Sequence, residues 1–263
     1  MVNYLIAIFI FTMVIHTAET LSYSLRYAGV KINKIAVALS LTGIIVLISR
    51  TANLIQAPLT AKIIDYAKTN LSFNVIDYLR IILLASTIGT LIAIILFPTF
   101  VNVWSRVISK LEIAGSLPRL ITSVTIAQLK NVGSYVRKPS VRLYNYRYLG
   151  ISKRFIILNI VVTAIYTVGV LSALYAAFLV PELSTTASQS SGLINGIATI
   201  LLTIFIDPQI GLLTDKATNN EQYRDQLGRI YNVLMLSRLV GTLLAQVILI
   251  PASYFIVFII KLI

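Results

Sequence analysis

Apolar residues in this chain come in long blocks, not in the short alternating or three-to-four spacing of a soluble core. Runs at roughly 4–25, 35–57, 78–100, 155–180, 193–214 and 230–250 stand out, and each suffices to cross a bilayer, which takes about 20 predominantly apolar residues in a helix. The pattern predicts an all-α polytopic membrane protein with six transmembrane helices. Beyond the last run the apolar stretch continues through Pro251 to Ile260, either as a kinked long helix or as a separate interfacial segment. Between 101 and 153 the apolar residues are broken every few positions, with Pro118, Gly133 and Pro139 among them, so no crossing is expected there. The chain therefore divides into a three-helix unit at 1–100, a basic amphipathic cytoplasmic connector at 101–153 and a second three-helix unit at 154–263.

The blocks also repeat. Ile15-His16-Thr17 with Leu21-Ser22 returns as Ile165-Tyr166-Thr167 with Leu171-Ser172, an offset of 150 residues, and Pro58 and Asp65 match Pro208 and Asp215 at the same offset. Gly89-Thr90-Leu91-Ile92-Ala93, ahead of Pro98, matches Gly241-Thr242-Leu243-Leu244-Ala245, ahead of Pro251. The shared order and nearly constant spacing point to an ancient duplication. Three spans per half is an odd number, so the second half enters the membrane from the side where the first left it. Inverted repeats of this kind build many secondary transporters, which rock one element against another around a site near the midplane.

Composition narrows the chemistry. Of 263 residues, 57% are hydrophobic and 12% charged, the balance of a protein dissolved in lipid. The absence of cysteine excludes disulfides, thiolate metal sites and cysteine nucleophiles, and a single histidine excludes a histidine-rich metal site. A net charge of +13 raises nucleic acid as a partner, but ten of the 22 Lys and Arg residues lie between Arg106 and Arg154 and most others flank apolar blocks. That is the distribution of the positive-inside rule, without a groove-reading or base-stacking module. Sixteen cations fall on the side of the 26–34, 106–154 and 216–229 connections, against Lys62, Lys68 and Lys261 opposite, with Arg80 just inside a span. The first side is expected to be cytoplasmic and both termini extracytoplasmic. Met1-Val2-Asn3-Tyr4 has no basic region and no small-residue cleavage site follows, so the first span is expected to be retained.

Charge inside the blocks marks candidate sites, because an ionised side chain at the centre of a bilayer helix costs roughly 2.5–3.5 kcal/mol on insertion scales and so seeks a wet cavity or a partner. His16, Glu19, Tyr23 and Arg26 are spaced by three, four and three and share one helical face. On the second span Arg50, Asn53 and Ala57 share a face, with Gln56 beside them, and Arg238 lies in the last span. Arginine presents fixed donors that suit a phosphate or carboxylate bidentately. Arg26, Arg50 and Arg238 are thus candidate anion contacts, Asn53 and Gln56 candidate hydrogen-bonding groups, and His16 and Glu19 coupling or counter-charge groups. The alternative for Arg50 is an ion pair with Glu19, which could hold it in the empty site and yield it to an anion; Arg238 stands between ligand contact and structural pairing, and the bland alternative for His16 and Glu19 is that they only fix helix packing. Pro58 and Pro208 are expected to break their helices at equivalent positions, with Asp207 as an interfacial or capping residue.

The run from Tyr135 to Arg154 interleaves tyrosines with Arg137, Lys138, Arg142 and Arg147. On a cytoplasmic loop it is expected to lie on anionic membrane lipid, at roughly 1 kcal/mol per cation near the surface. The chain carries no nucleophile elbow, phosphate-cradling glycine loop or metal-spaced His and Cys set, so neither an enzyme nor a cofactor is expected.

A longer pattern coincides with the polar stripes: His16-Thr17, Glu19-Thr20-Leu21-Ser22-Tyr23-Ser24, Arg26, Ala28-Gly29-Val30, Lys34-Ile35-Ala36-Val37-Ala38-Leu39-Ser40-Leu41 and Ile48-Ser49-Arg50-Thr51-Ala52-Asn53-Leu54-Ile55-Gln56-Ala57-Pro58. It resembles the Amj family of bacterial lipid II flippases, alternates to the unrelated flippase MurJ, most strongly over the first 65 residues or so. The resemblance implies a plasma-membrane protein that moves undecaprenyl-pyrophosphate-linked disaccharide pentapeptide from the inner to the outer leaflet for peptidoglycan synthesis. It assigns no roles to individual residues. Six spans are few to enclose so large a head group, so a homodimer or a strongly open cleft is expected. The competing class is an ion-coupled carrier of a small anion, which requires a closed midplane pocket instead of a gap open to lipid.

Overall fold

A computed structural model of the chain describes residues 1–70, 72–116, 119, 136–137 and 151–263. All regular structure among them is helical. α1 (Val2–Lys31), α2 (Ile35–Thr69), α3 (Val75–Ala114) and α4 (Lys153–Leu179) are continuous helices. The fifth span is segmented: a 3-10 turn at Pro181–Leu183, α5 (Ser184–Gln189), α6 (Ser191–Leu201), a π turn at Leu202–Ile206 and α7 (Asp207–Asn219). α8 (Glu221–Leu262) closes the bundle. Six helical stretches are long and apolar enough to cross a membrane.

Local chemistry sets the boundaries. Asn33, with φ 56, makes the left-handed turn between α1 and α2, a conformation that asparagine tolerates better than most residues. The Lys34 N–H then donates to the Gly29 carbonyl at 2.7 Å. The Ser152 side chain caps α4 by accepting from the Phe155 N–H, and Asn220 caps α8 by accepting from the Gln222 N–H. Gly115, with φ 70, ends α3. α3 continues past residue 100 to Ala114, and at 40 residues it is about 60 Å long. Its last turns are tied down by an ion pair between Glu112 and Lys34 at 2.6 Å. The aromatic and basic run between Lys138 and Tyr148 lies outside the described residues.

Two expectations at proline need correction or completion. α2 does not break at Pro58, and α8 runs through Pro251 as one helix. In both, the hydroxyl two residues after the proline donates to the carbonyl two residues before it: Thr60 to Gln56 at 2.9 Å and Ser253 to Leu249 at 2.8 Å. These hydroxyls bond one turn back in the helix, whereas the carbonyls that the prolines leave without an amide donor are those of Leu54 and Val247. Pro208 does sit at an irregularity, just after the π turn.

The core is split into two apolar clusters. One contains Ile8, Ile63, Leu79, Leu171 and Ile256, from the α1 N-terminal end and the α2 C-terminal end outward. The other contains Tyr23, Leu41, Ile94, Phe155 and Leu234 at the opposite end of the bundle. Between them lies a buried polar layer that includes His16, Thr20, Ser49, Gln56, Ser86, Thr90, Asn159 and Ser237. Here Asn159 donates to the Leu234 carbonyl at 3.1 Å and to the Ser237 hydroxyl. Two close helix approaches lie beside this layer. A Cβ on Gly89 of α3 would meet the Met13 backbone of α1, and one on Gly241 of α8 would meet Ile160 and Thr163 of α4.

Packing leaves one side loose. α1 is held by α2 and α3, and α4 by α6 and α8, whereas α2 and the fifth span barely touch. That gap opens the polar layer to the flank of the bundle.

Candidate functional site

Glu19 organises the layer. It projects from α1 into the bundle, and its Oε1 accepts from the Ser49 hydroxyl of α2 at 2.8 Å and from the Tyr166 hydroxyl of α4 at 3.1 Å. Its Oε2 pairs with the Arg238 guanidinium of α8 at 3.3 Å. The pair is enclosed, with 12% of the Arg238 side chain and 19% of Glu19 exposed. One carboxylate thus ties four helices together.

This corrects the alternative of a Glu19–Arg50 pair. α2 turns Ser49 toward Glu19, and the next residue along a helix points about 100° away. Arg50 is consequently exposed and stands in the wall of the flanking gap instead of against the carboxylate.

Two cavities flank the Glu19 contacts. The larger, about 340 Å³, is lined by Glu19, Arg26, Arg50, Asp207 and Arg238, with apolar walls from Ile45, Val46, Leu202 and Ile206. Three of the five candidate anion and polar contacts therefore converge on it, and the Nε atoms of Arg26 and Arg238 are buried without a hydrogen-bond partner. The smaller, about 110 Å³, lies toward the α1 N-terminus and is lined by Thr12, His16, Asn53, Gln56 and Asn195, among others. Ser49, Arg50, Tyr166 and Thr199 line both. Arg50 alone of the charged residues belongs to the smaller cavity.

The structure brings every predicted residue to one of these two spaces: Glu19, Arg26 and Arg238 to the larger, His16, Asn53 and Gln56 to the smaller, and Arg50 to both. Sequence reasoning missed Thr12, Ser49, Tyr166, Asn195 and Thr199. For Tyr166 a signal existed, since it occupies the repeat position of His16 at the offset of 150. Its neutral hydroxyl carried no energetic anomaly to draw attention. Among the described residues there is no group of three or more His, Cys, Asp or Glu that could hold a metal ion.

The site can accommodate an anionic group without burying it unpaired. Three guanidinium groups face or adjoin the larger cavity against the two carboxylates of Glu19 and Asp207, while the gap between α2 and the fifth span leaves a lateral way in. Apolar side chains also line the gap: Val46 is exposed, and Ile45, Leu202 and Ile206 stand with it in the cavity wall.

Comparison with known proteins gives the same direction. Residues 11–260 match a protein family described as "Amj: Alternate to MurJ". A curated protein of Bacillus subtilis (strain 168), named lipid II flippase Amj, is 41% identical over 257 residues, which is 97% of this chain and 96% of the relative. No solved structure matches the chain.

Proposed function

The chain belongs to the Amj family, and from that premise we propose that it is a lipid II flippase, moving the undecaprenyl-pyrophosphate-linked peptidoglycan precursor from the inner to the outer leaflet of the bacterial plasma membrane. The observation that carries the reading from family to mechanism is the arginine-lined cavity, with apolar walls, beside the gap between α2 and the fifth span. Lipid II joins a polyprenyl tail, content in hydrocarbon, to a doubly anionic pyrophosphate and a large polar head. Moving the head through hydrocarbon requires compensation for its lost hydration. A closed pocket would have to strip off the tail's surroundings as well, whereas a lateral gap leaves the tail in lipid while the head crosses beside the protein. The poor contact between α2 and the fifth span favours this over a small-anion carrier.

In this mechanism Arg26, Arg50 and Arg238 hold the pyrophosphate, and Asn53 and Gln56 hydrogen-bond the polar head. Glu19 holds Arg238 until the anion competes for the guanidinium; His16 sits one turn away on the same face of α1 and resets the site with it. The basic residues between Arg106 and Arg154 gather anionic lipid on the cytoplasmic surface, with both termini outside. Alternation is carried by two inverted three-helix repeats. The equivalent close approaches at Gly89 and Gly241, one in each half, support that reading. With no nucleotide-binding motif in the sequence, transport follows the substrate gradient, removal of product outside, the membrane potential or a coupled ion.

The test is access. In cells depleted of other flippases, expression of this protein is expected to render lipid II accessible to an extracellular reagent. Lipid II that stays inaccessible while the protein is abundant in the membrane would refute the proposal.

A further inference from the structure

The gap between α2 and the fifth span is not uniform along its length. We propose that Lys68 and Ser184 form the extracytoplasmic gate of the lateral path, closed in this structure, while the path stands open toward its cytoplasmic end. This inference rests on the flippase reading above and on the orientation proposed with it.

Among the described residues, one side-chain hydrogen bond crosses the gap: the Lys68 ammonium, in the last turn of α2, donates to the Ser184 hydroxyl, the first residue of α5. The packing beneath that bond is tight. Ile64 lies one turn before Lys68 on the same face of α2, and it is buried together with Ala67 of α2 and Ala187 of α5 in one apolar cluster. Toward the other end of the bundle the two elements stand apart, and Thr42, Ile45, Asp207 and Ile210 line the larger cavity between them. Arg26, toward the C-terminal end of α1, faces that same space. On the orientation proposed, an anionic head group therefore reaches the arginines from the cytoplasmic side and meets a closed end on the other.

The chemistry of the bond suits a gate that must break in every cycle. Lysine carries a compact charge on a flexible stem, so its contact forms and parts without a matched planar geometry. Its partner across the gap is a neutral hydroxyl, and no carboxylate is stranded when the bond opens. Lys68 also keeps a charge partner on its own helix, Asp65 Oδ1 at 3.8 Å, which travels with α2, so the ammonium stays paired in the open state. The enclosed Glu19–Arg238 pair has neither property. The bond also lies where separation is possible. α2 packs on α1, and α6 packs on α4, whereas the first three helices meet the last through α3 and α8, where Gln246 of α8 donates to the Arg80 carbonyl of α3 at 3.0 Å. Parting at Lys68 thus opens the gap while the α3–α8 contact holds the two groups together.

The first test reads opening directly. The chain has no cysteine, so Ile64→Cys is a single reporter, and its reaction with a water-soluble maleimide in the purified full-length protein should be slow. Lys68→Met and Ser184→Ala should each speed it roughly 3- to 10-fold, the effect of one hydrogen bond. The two together should do no more than either alone, because they remove the same bond. Ser184→Ala carries the comparison should Lys68→Met fail to fold. The second test locks the gate: Lys68→Cys with Ser184→Cys, joined by a short bifunctional cross-linker, should stop lipid II transport in proteoliposomes and leave equilibrium binding of lipid II intact. Each single cysteine variant treated alike should transport. Reporter rates unchanged by both bond-removing variants, or a cross-linked protein that transports as before, would overturn the gate while leaving the flippase reading in place. Failure of the wild type to move lipid II would overturn the flippase reading itself, and the reporter rates would still decide whether Lys68 and Ser184 hold this end closed.

Discussion

Glu19 belongs to α1, yet its carboxylate accepts from α2 and α4 and pairs with α8. Removing one partner of an enclosed ion pair strands the other charge, which typically costs about 3–5 kcal/mol for a fully buried pair. With 12% and 19% of the two side chains exposed, the loss should fall at the low end. Arg238→Gln is therefore expected to lower the thermal midpoint in detergent clearly, and Glu19→Gln combined with Arg238→Gln to recover much of it. Transport should stay impaired in the double variant, because Arg238 is also needed by the substrate. Recovery of transport together with stability would mean that these charges serve packing alone. The helical face of His16, Glu19 and Arg26 was legible in the sequence because its spacing follows the helical period. The partner of Glu19 was not, since choosing between Arg50 and Arg238 depends on how α2 and α8 are rotated about their own axes. Linear spacing does not encode that.

Elements meet most tightly where side chains are smallest. A Cβ on Gly89 or Gly241 would run into the backbone of the facing helix, whereas Gly43 has nothing within 4 Å of that position. Gly89→Ala and Gly241→Ala should each destabilise the protein by about 1–3 kcal/mol, the range for overpacking. Gly43→Ala, relieved of glycine's helix penalty, should be neutral or stabilising; thermal midpoints of the three variants decide this. The matched glycines were visible in the repeat, and the six long apolar helices in the blocks. The continuity of α2 through Pro58 was not visible, because whether a proline breaks a membrane helix depends on the surroundings of the helix and not on the proline alone. The gap between α2 and the fifth span also has a direct check. Since the chain has no cysteine, Val46→Cys and Leu202→Cys, on opposite walls of the larger cavity, form a clean pair for a short bifunctional cross-linker. Cross-linking should arrest transport, while each single variant treated alike should continue to transport.

At the scale of the whole molecule, the polar layer between two apolar clusters puts the candidate site midway along the bundle, and the cation asymmetry is the basis of the orientation proposed for it. On the orientation proposed, cysteines introduced at Asn3 and Asn70 should react with a membrane-impermeant maleimide in intact cells, and those at Asn33 and Asn220 only after permeabilisation. Fold class was legible from hydropathy at this scale, because the bilayer thickness imposes a length on every span. The gap was legible only as a requirement of the substrate's size, since which helices fail to touch is a property of the assembled bundle. The most direct measurement of the central claim is lipid II movement in proteoliposomes containing the purified protein as the sole protein, read by the fraction of labelled lipid II that becomes accessible from the opposite leaflet. Accessibility should rise well above that of protein-free vesicles and fall back toward it with Arg50→Gln or Arg238→Gln. A wild-type rate equal to that of protein-free vesicles, from a folded and reconstituted protein, would contradict the account.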